Sequence, residues 1–158
     1  MDWFVKAFIK SSVAWLAIGM TLGVAMAMEP QWTVYRPAHL HMNLAGFVAM
    51  MIFGVAYHVI PRFTGVPLYS VRAAGLHWFA SNAGLLLMVC GFVARANGLG
   101  VGEWLLAAGG SLTAIGGYTF AYVIWRTMDG RRAQVLAVKR GVLPLAKREQ
   151  AVAHAEPG

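Results

Sequence analysis

Five histidines stand out in a chain otherwise poor in ionisable side chains: His39, His41, His58, His77 and His154. The first two are separated by a single residue. On a helix, at about 100° per residue, positions i and i+2 diverge by roughly 200°. His39 and His41 therefore face opposite sides and cannot chelate one metal ion from the same helix. Such a pair suits two separate cofactors, or one cofactor and one hydrogen bond. Imidazole is a common axial ligand of haem iron, whose potential is set by ligand identity and burial. The plain alternative is a pair of interfacial histidines wetted by headgroup water. His58 follows His41 by seventeen residues, about 25 Å along a helix. It could meet His77 in a second haem site, or both could be structural. His154 sits in a polar tail and needs no role. Met42, Met50 and Met51 are possible iron ligands, although methionine is ordinary filler in apolar helices. No phosphate-binding glycine loop, nucleophile triad or zinc motif accompanies them.

The elements that position these residues are written in the charge distribution. The chain is 59% hydrophobic and 12% charged, against about 25% charged in soluble proteins. No Asp, Glu, Lys or Arg occurs in residues 11–28, 37–61, 73–94 or 104–125, gaps of 18, 25, 22 and 22 residues. About 20 apolar residues carry a helix across a bilayer core, and lipid-facing strands would leave backbone groups unpaired. The pattern predicts an all-α, integral membrane four-helix bundle with helices over about 11–28, 38–60, 73–95 and 103–126. Residues 1–126 form the membrane domain and 127–158 a basic cytoplasmic tail. The first span is the weakest. Lys6 and Lys10 ahead of a run ending in Ala25-Met26-Ala27 also fit a cleaved signal peptide. The length of the run and the small-residue stripe Gly19, Gly23, Ala27 favour a retained helix. Proline at 30, 37 and 61 marks helix boundaries, and Asn97-Gly98-Leu99-Gly100 breaks the chain before the last helix. In that helix Gly109, Gly110, Gly116 and Gly117 permit close approach to a neighbour.

With both termini on one side, that side collects eleven of the thirteen Lys and Arg residues, leaving Arg36 and Arg95 opposite. This positive-inside bias places both termini in the cytoplasm. The net charge of +7 then reports topology and attraction to anionic lipid rather than nucleic acid. The lone Cys90 precludes an intrachain disulfide and reads as a buried thiol. Trp3, Trp32, Tyr35 and Trp104 fit interfacial belts. Trp78 and Asn82, four apart, fit a polar face on which Asn82 ties helices together.

The stretch from Arg36 to Gly65 includes Arg36-Pro37-Ala38-His39-Leu40-His41 and ends in Tyr57-His58-Val59-Ile60-Pro61-Arg62. It resembles the tenth helix of subunit I of haem–copper oxidases, most closely the cbb3 type. Leu76-His77-Trp78-Phe79-Ala80-Ser81-Asn82-Ala83-Gly84 resembles the helix that follows. The likeness covers about residues 31–95, with the flanking helices matching only by position.

The resemblance implies that His39 is the ligand of a high-spin haem and His41 of a low-spin haem b, both near the external face. Arg36 would pair with a haem propionate. The family positions matching His58 and His77 are not haem ligands. Subunit I has twelve helices, of which this chain resembles the last four. The helices supplying the other low-spin ligand and the copper histidines have no counterpart, so copper is not expected. The twelve helices form three arcs of four about a pseudo-threefold axis, an outline that a homotrimer of this chain would rebuild. The implied protein is an oligomeric b-type haem protein of a bacterial inner membrane that transfers electrons or binds a diatomic gas. Its donor would be a cytochrome or a quinol, and any enzymatic activity would be oxidoreductase chemistry of the terminal oxidase or nitric oxide reductase type. Two other readings stay open: a haem-free module that regulates a respiratory complex, and one piece of a split oxidase.

Overall fold

The computed structural model describes residues 1–130, and all regular structure among them is helical. Helix α1 spans Trp3–Met28, and a 3-10 turn, Pro30–Tyr35, leads into α2, residues 36–64. Helix α3 is Val71–Ala96 and α4 is Val101–Met128. Three stretches are long and apolar enough to cross a membrane: Trp3–Met28, Pro30–Thr64 and Val71–Ala96. The fourth helix has the length but not the apolarity. Its 28 residues include Gly, Ser, Thr and Tyr throughout, so the thinnest span by composition is the last, not the first. The predicted tail lies outside the described residues beyond Gly130, and His154 with it.

Every helix is longer than the gaps in charge predict. Helix α1 starts eight residues before Ser11 and takes in Lys6 and Lys10. Long basic side chains can reach the interface from inside a helix end. Pro61 does not end α2, which runs on to Thr64. A proline within the last turns costs few backbone bonds. There Arg62 Nη1 also donates to the His58 carbonyl, at 2.7 Å. Gly65 is the stop, with φ of 64° in the left-handed region that glycine adopts freely. Ser70 starts α3 by accepting the Ala73 N–H at 3.2 Å.

Helix α2 is not uniform. An α-helical turn, Arg36–His41, gives way to a π-helical segment, Met42–Ala49, before α-helix resumes over Met50–Thr64. A π segment widens the helix and shifts the register of everything beyond it. It begins at the residue after His41. Gly46 within it is buried between α1 and α3, where a Cβ would lie 2.7 Å from Trp15 Cβ and 2.9 Å from Leu85 Cδ2.

The core is aromatic and lies toward the N-terminal end of α1. Phe4, Val5 and Phe8 of α1 pack with Met50 and Tyr57 of α2, Ala74 and Leu85 of α3, and Val123 of α4. Polar pairs join α1 to α3 in mid-bundle. Trp15 Nε1 donates to Asn82 Oδ1 at 3.2 Å, and Trp78 Nε1 to Ser11 Oγ at 3.0 Å. Asn82 is thus the inter-helix tie that its position predicts. Met50 is core and Met51 Sδ accepts from Ser12, so these two methionines are filler.

Helices α3 and α4 meet backbone to backbone. A Cβ at Gly109 would lie 2.6 Å from the Gly84 carbonyl oxygen, and one at Gly102 2.9 Å from that of Gly91. Gly84 and Gly91 on one helix, and Gly102, Gly109 and Gly116 on the other, repeat every seven residues. The repeat keeps one seam bare along both helices. Gly110 and Gly117 meet nothing within 4 Å, so only half of the predicted glycines make the contact. Cys90 is exposed, not buried, because it turns outward beside Gly91, which occupies the seam.

Candidate functional site

Both histidines of the pair are half-buried and hold their rings by the same device. His39 Nδ1 lies 2.8 Å from the carbonyl oxygen of Gly19 on α1, and His41 Nδ1 lies 2.8 Å from that of Pro37, one turn back. A carbonyl oxygen only accepts, so each Nδ1 carries the proton and each neutral Nε2 keeps its lone pair. That is the arrangement of metal-ligating histidines, whose second ring N–H is commonly donated to a carbonyl or carboxylate.

The two rings point to different neighbours, as their spacing predicts. His39 enters the α1 interface between two glycines of the small-residue stripe. A Cβ at Gly23 would come within 2.8 Å of its Cε1, and one at Gly19 within 2.7 Å of Asn43 Nδ2. Ala27, the third member of the stripe, is exposed. Asn43 Nδ2 donates to the His39 carbonyl at 2.8 Å. Its 3.4 Å approach to His39 Nδ1 sets two donors together and is a contact only. His41 turns the other way, against Phe92 of α3, with ring centroids 4.8 Å apart.

A groove of about 490 Å³ is lined by Val34, Pro37, Phe92, Arg95 and Ala96, and His41 itself is not in its lining. Its size falls in the range of small-molecule and cofactor sites, about 300–1,000 Å³. Two of its lining residues are the two that hold His41: Pro37 by its carbonyl and Phe92 by its ring. Arg95 supplies the cation there. Arg36 is exposed and does not line this groove. Asn97 Nδ2 donates to Tyr35 Oη at 3.2 Å and closes the loops over this end.

The structure does not bring His58 and His77 to one another. Arg62 Nη1 lies 2.7 Å from His58 Nδ1. A guanidinium only donates, so here Nδ1 accepts and the proton of the neutral ring is on Nε2. His77 is 1% exposed, and its Nδ1 pairs with Tyr57 Oη at 3.0 Å. Its ring is boxed by Phe53 at 4.7 Å, Phe8 at 4.9 Å and Phe120 at 5.7 Å. A porphyrin plane has no place between those rings, so His77 does not fit a haem. Among the described residues no three His, Cys, Asp or Glu side chains converge. A haem needs one imidazole per axial position, so the geometry of His39 and His41 is what counts.

Phe92, Arg95, Asn43 and the Gly19 carbonyl are site residues that the spacing of the histidines does not reveal. The Gly19/Gly23 stripe carries a signal for one of them, since small residues four apart mark the face where a neighbour packs. Phe92 and Arg95 stand in an ordinary apolar helix end and carry none.

No family model matches the chain. It is similar to the protein described as "Cytochrome c oxidase subunit 1 homolog, bacteroid" of Bradyrhizobium diazoefficiens. The two are 27% identical, with 66% of this chain and 23% of the relative covered. The chain therefore spans about a quarter of that relative's length.

Proposed function

We propose, from the premise that this chain is a distant relative of haem–copper oxidase subunit I, that it is a b-type haem protein. It would work as a homo-oligomer in a bacterial inner membrane, with both termini cytoplasmic, in electron transfer or diatomic-gas binding. One observation carries the reading: both histidines of the pair commit Nδ1–H to a backbone carbonyl and keep Nε2 free, on opposite sides of one helix.

Bound haem supplies a one-electron couple and, where an axial position is open, a place for a gas. The protein's part is to orient and to shield. The Pro37 carbonyl and the Phe92 ring fix the His41 imidazole, and both residues also line the groove. The Gly19 carbonyl fixes His39 against α1. Arg95 sets a cation in the groove for a propionate, with Arg36 at the surface beside it. The chain offers one imidazole per side, so a second histidine for either site would have to come from a neighbouring subunit. A closed trimer meets that need with identical contacts.

The test is a reduced-minus-oxidised absorption spectrum of the detergent-purified full chain, with and without carbon monoxide. Sharp b-type bands that fall away in His41→Ala are expected, with a carbon monoxide shift that is lost in His39→Ala. A protein colourless despite ample haem supply, or a His41→Ala variant with the full spectrum, overturns the proposal. In the colourless case the interaction-module reading stands.

A further inference from the structure

The far end of the bundle holds a second polar constellation, independent of the histidine pair and unused by it. His77 Nε2 is buried and has no hydrogen-bond partner among the described residues. Buried polar atoms are nearly always paired, and one left bare asks for a reason. Four aromatic side chains pack on the ring: Phe8 from α1, Phe53 and Tyr57 from α2, and Phe120 from α4. Of these only Tyr57 is titratable, and no charged side chain touches the imidazole. Tyr57, itself 2% exposed, bonds His77 Nδ1 at 3.0 Å. It also lines a groove of about 590 Å³ that opens beside Asp2, Arg62 and Val71. Water in that groove is thus one hydroxyl away from an imidazole inside the membrane domain.

We propose that Tyr57 and His77 are an internal proton-binding site, loaded from the groove at the 64–71 end of the bundle. In the loading step a hydronium ion in the groove gives its proton to Tyr57 Oη, leaving water, as the hydroxyl's own proton crosses to His77 Nδ1. Tyrosine is neutral before and after, His77 gains one proton and one charge, and no electron moves. The reverse step returns the proton by the same path. A hydroxyl and an imidazole in series suit such transfer because each accepts and donates. Intramembrane ionisable groups commonly mark proton paths.

The test uses the full chain in lipid bilayers with 15N-labelled histidine, and needs no haem. The His77 resonance is assigned by its contacts with the rings of Phe53 and Phe120. The sample is then transferred to acidified D2O, and the change of His77 Nδ1 from a bare, accepting nitrogen to a deuterated one is followed in time. It should be complete within minutes, while the backbone amides around His77 stay protonated for hours. Val71→Trp narrows the groove while leaving Tyr57 and His77 in place and should slow the shift by roughly tenfold or more. Leu76→Trp, on the exposed face of the same helix, should leave it unchanged. A shift that appears only together with the amides overturns the proposal. So does a rate indifferent to Val71→Trp, or one slowed equally by both tryptophans.

Discussion

Gly23 decides how His39 sits. A methyl group there would press to 2.8 Å of the imidazole Cε1, and the ring is also tied to the Gly19 carbonyl, so it cannot yield without losing that bond. Gly23→Ala is expected to cost about 1–3 kcal/mol by overpacking, measured by unfolding of the detergent-solubilised protein. It should diminish the carbon monoxide response while sparing the bands assigned to His41. Tyr57→Phe removes the partner of a buried imidazole. A loss of about 1 kcal/mol is expected in the same assay, with the haem spectrum unchanged because the two ends of α2 are separate sites. The opposite facing of His39 and His41 was legible because it follows from helix geometry alone. The tautomers were not, since they depend on where the Gly19 and Pro37 carbonyls lie. Nor was the fate of His77, whose box is built by phenylalanines from three different helices.

At the scale of the element, the glycines of α4 divide into two classes that the sequence does not distinguish. Gly109 sits against the backbone of α3, whereas Gly117 faces open space. Gly109→Leu is expected to open the α3–α4 seam, at a cost of at least about 3 kcal/mol. It should expose the 97–100 turn to limited proteolysis. Gly117→Ala should stay within about 0.5 kcal/mol of the parent and leave the proteolytic pattern alone. Which glycine is which depends on the rotation of the helix about its axis, and no single-helix pattern in α4 fixes that. The match with Gly84 and Gly91 of α3, at the same seven-residue spacing, carries the information only when both helices are read together. Helix centres were legible from the gaps in charge, but helix ends were not. Lys6 and Lys10 are carried on a helix that passes them, and Pro61 bends to the turn that follows it. The π segment was not legible, since no periodicity marks residues 42–49; Gly46 within it packs between Trp15 and Leu85.

For the whole molecule, charge and composition make a statement about sidedness that labelling can check. With both termini cytoplasmic, a cysteine at Asp2 or Gly65 in a Cys90→Ser background should react with impermeant maleimide only after the cytoplasmic face is opened. One at Gln31 or Leu99 should react in intact cells; the reverse pattern refutes the orientation. Helix α4 adds a demand of its own, since it is long enough to span yet diluted by glycine and hydroxyl residues and covered on one side only. The proposed trimer can be tested by the mass of the purified particle. The seam has a further mechanical consequence. Where two backbones touch over two glycine pairs, α3 and α4 move as one beam rather than two rods. Phe92 is fixed to that beam one residue past Gly91. The His41 ring therefore leans on the most closely packed pair of helices among the described residues.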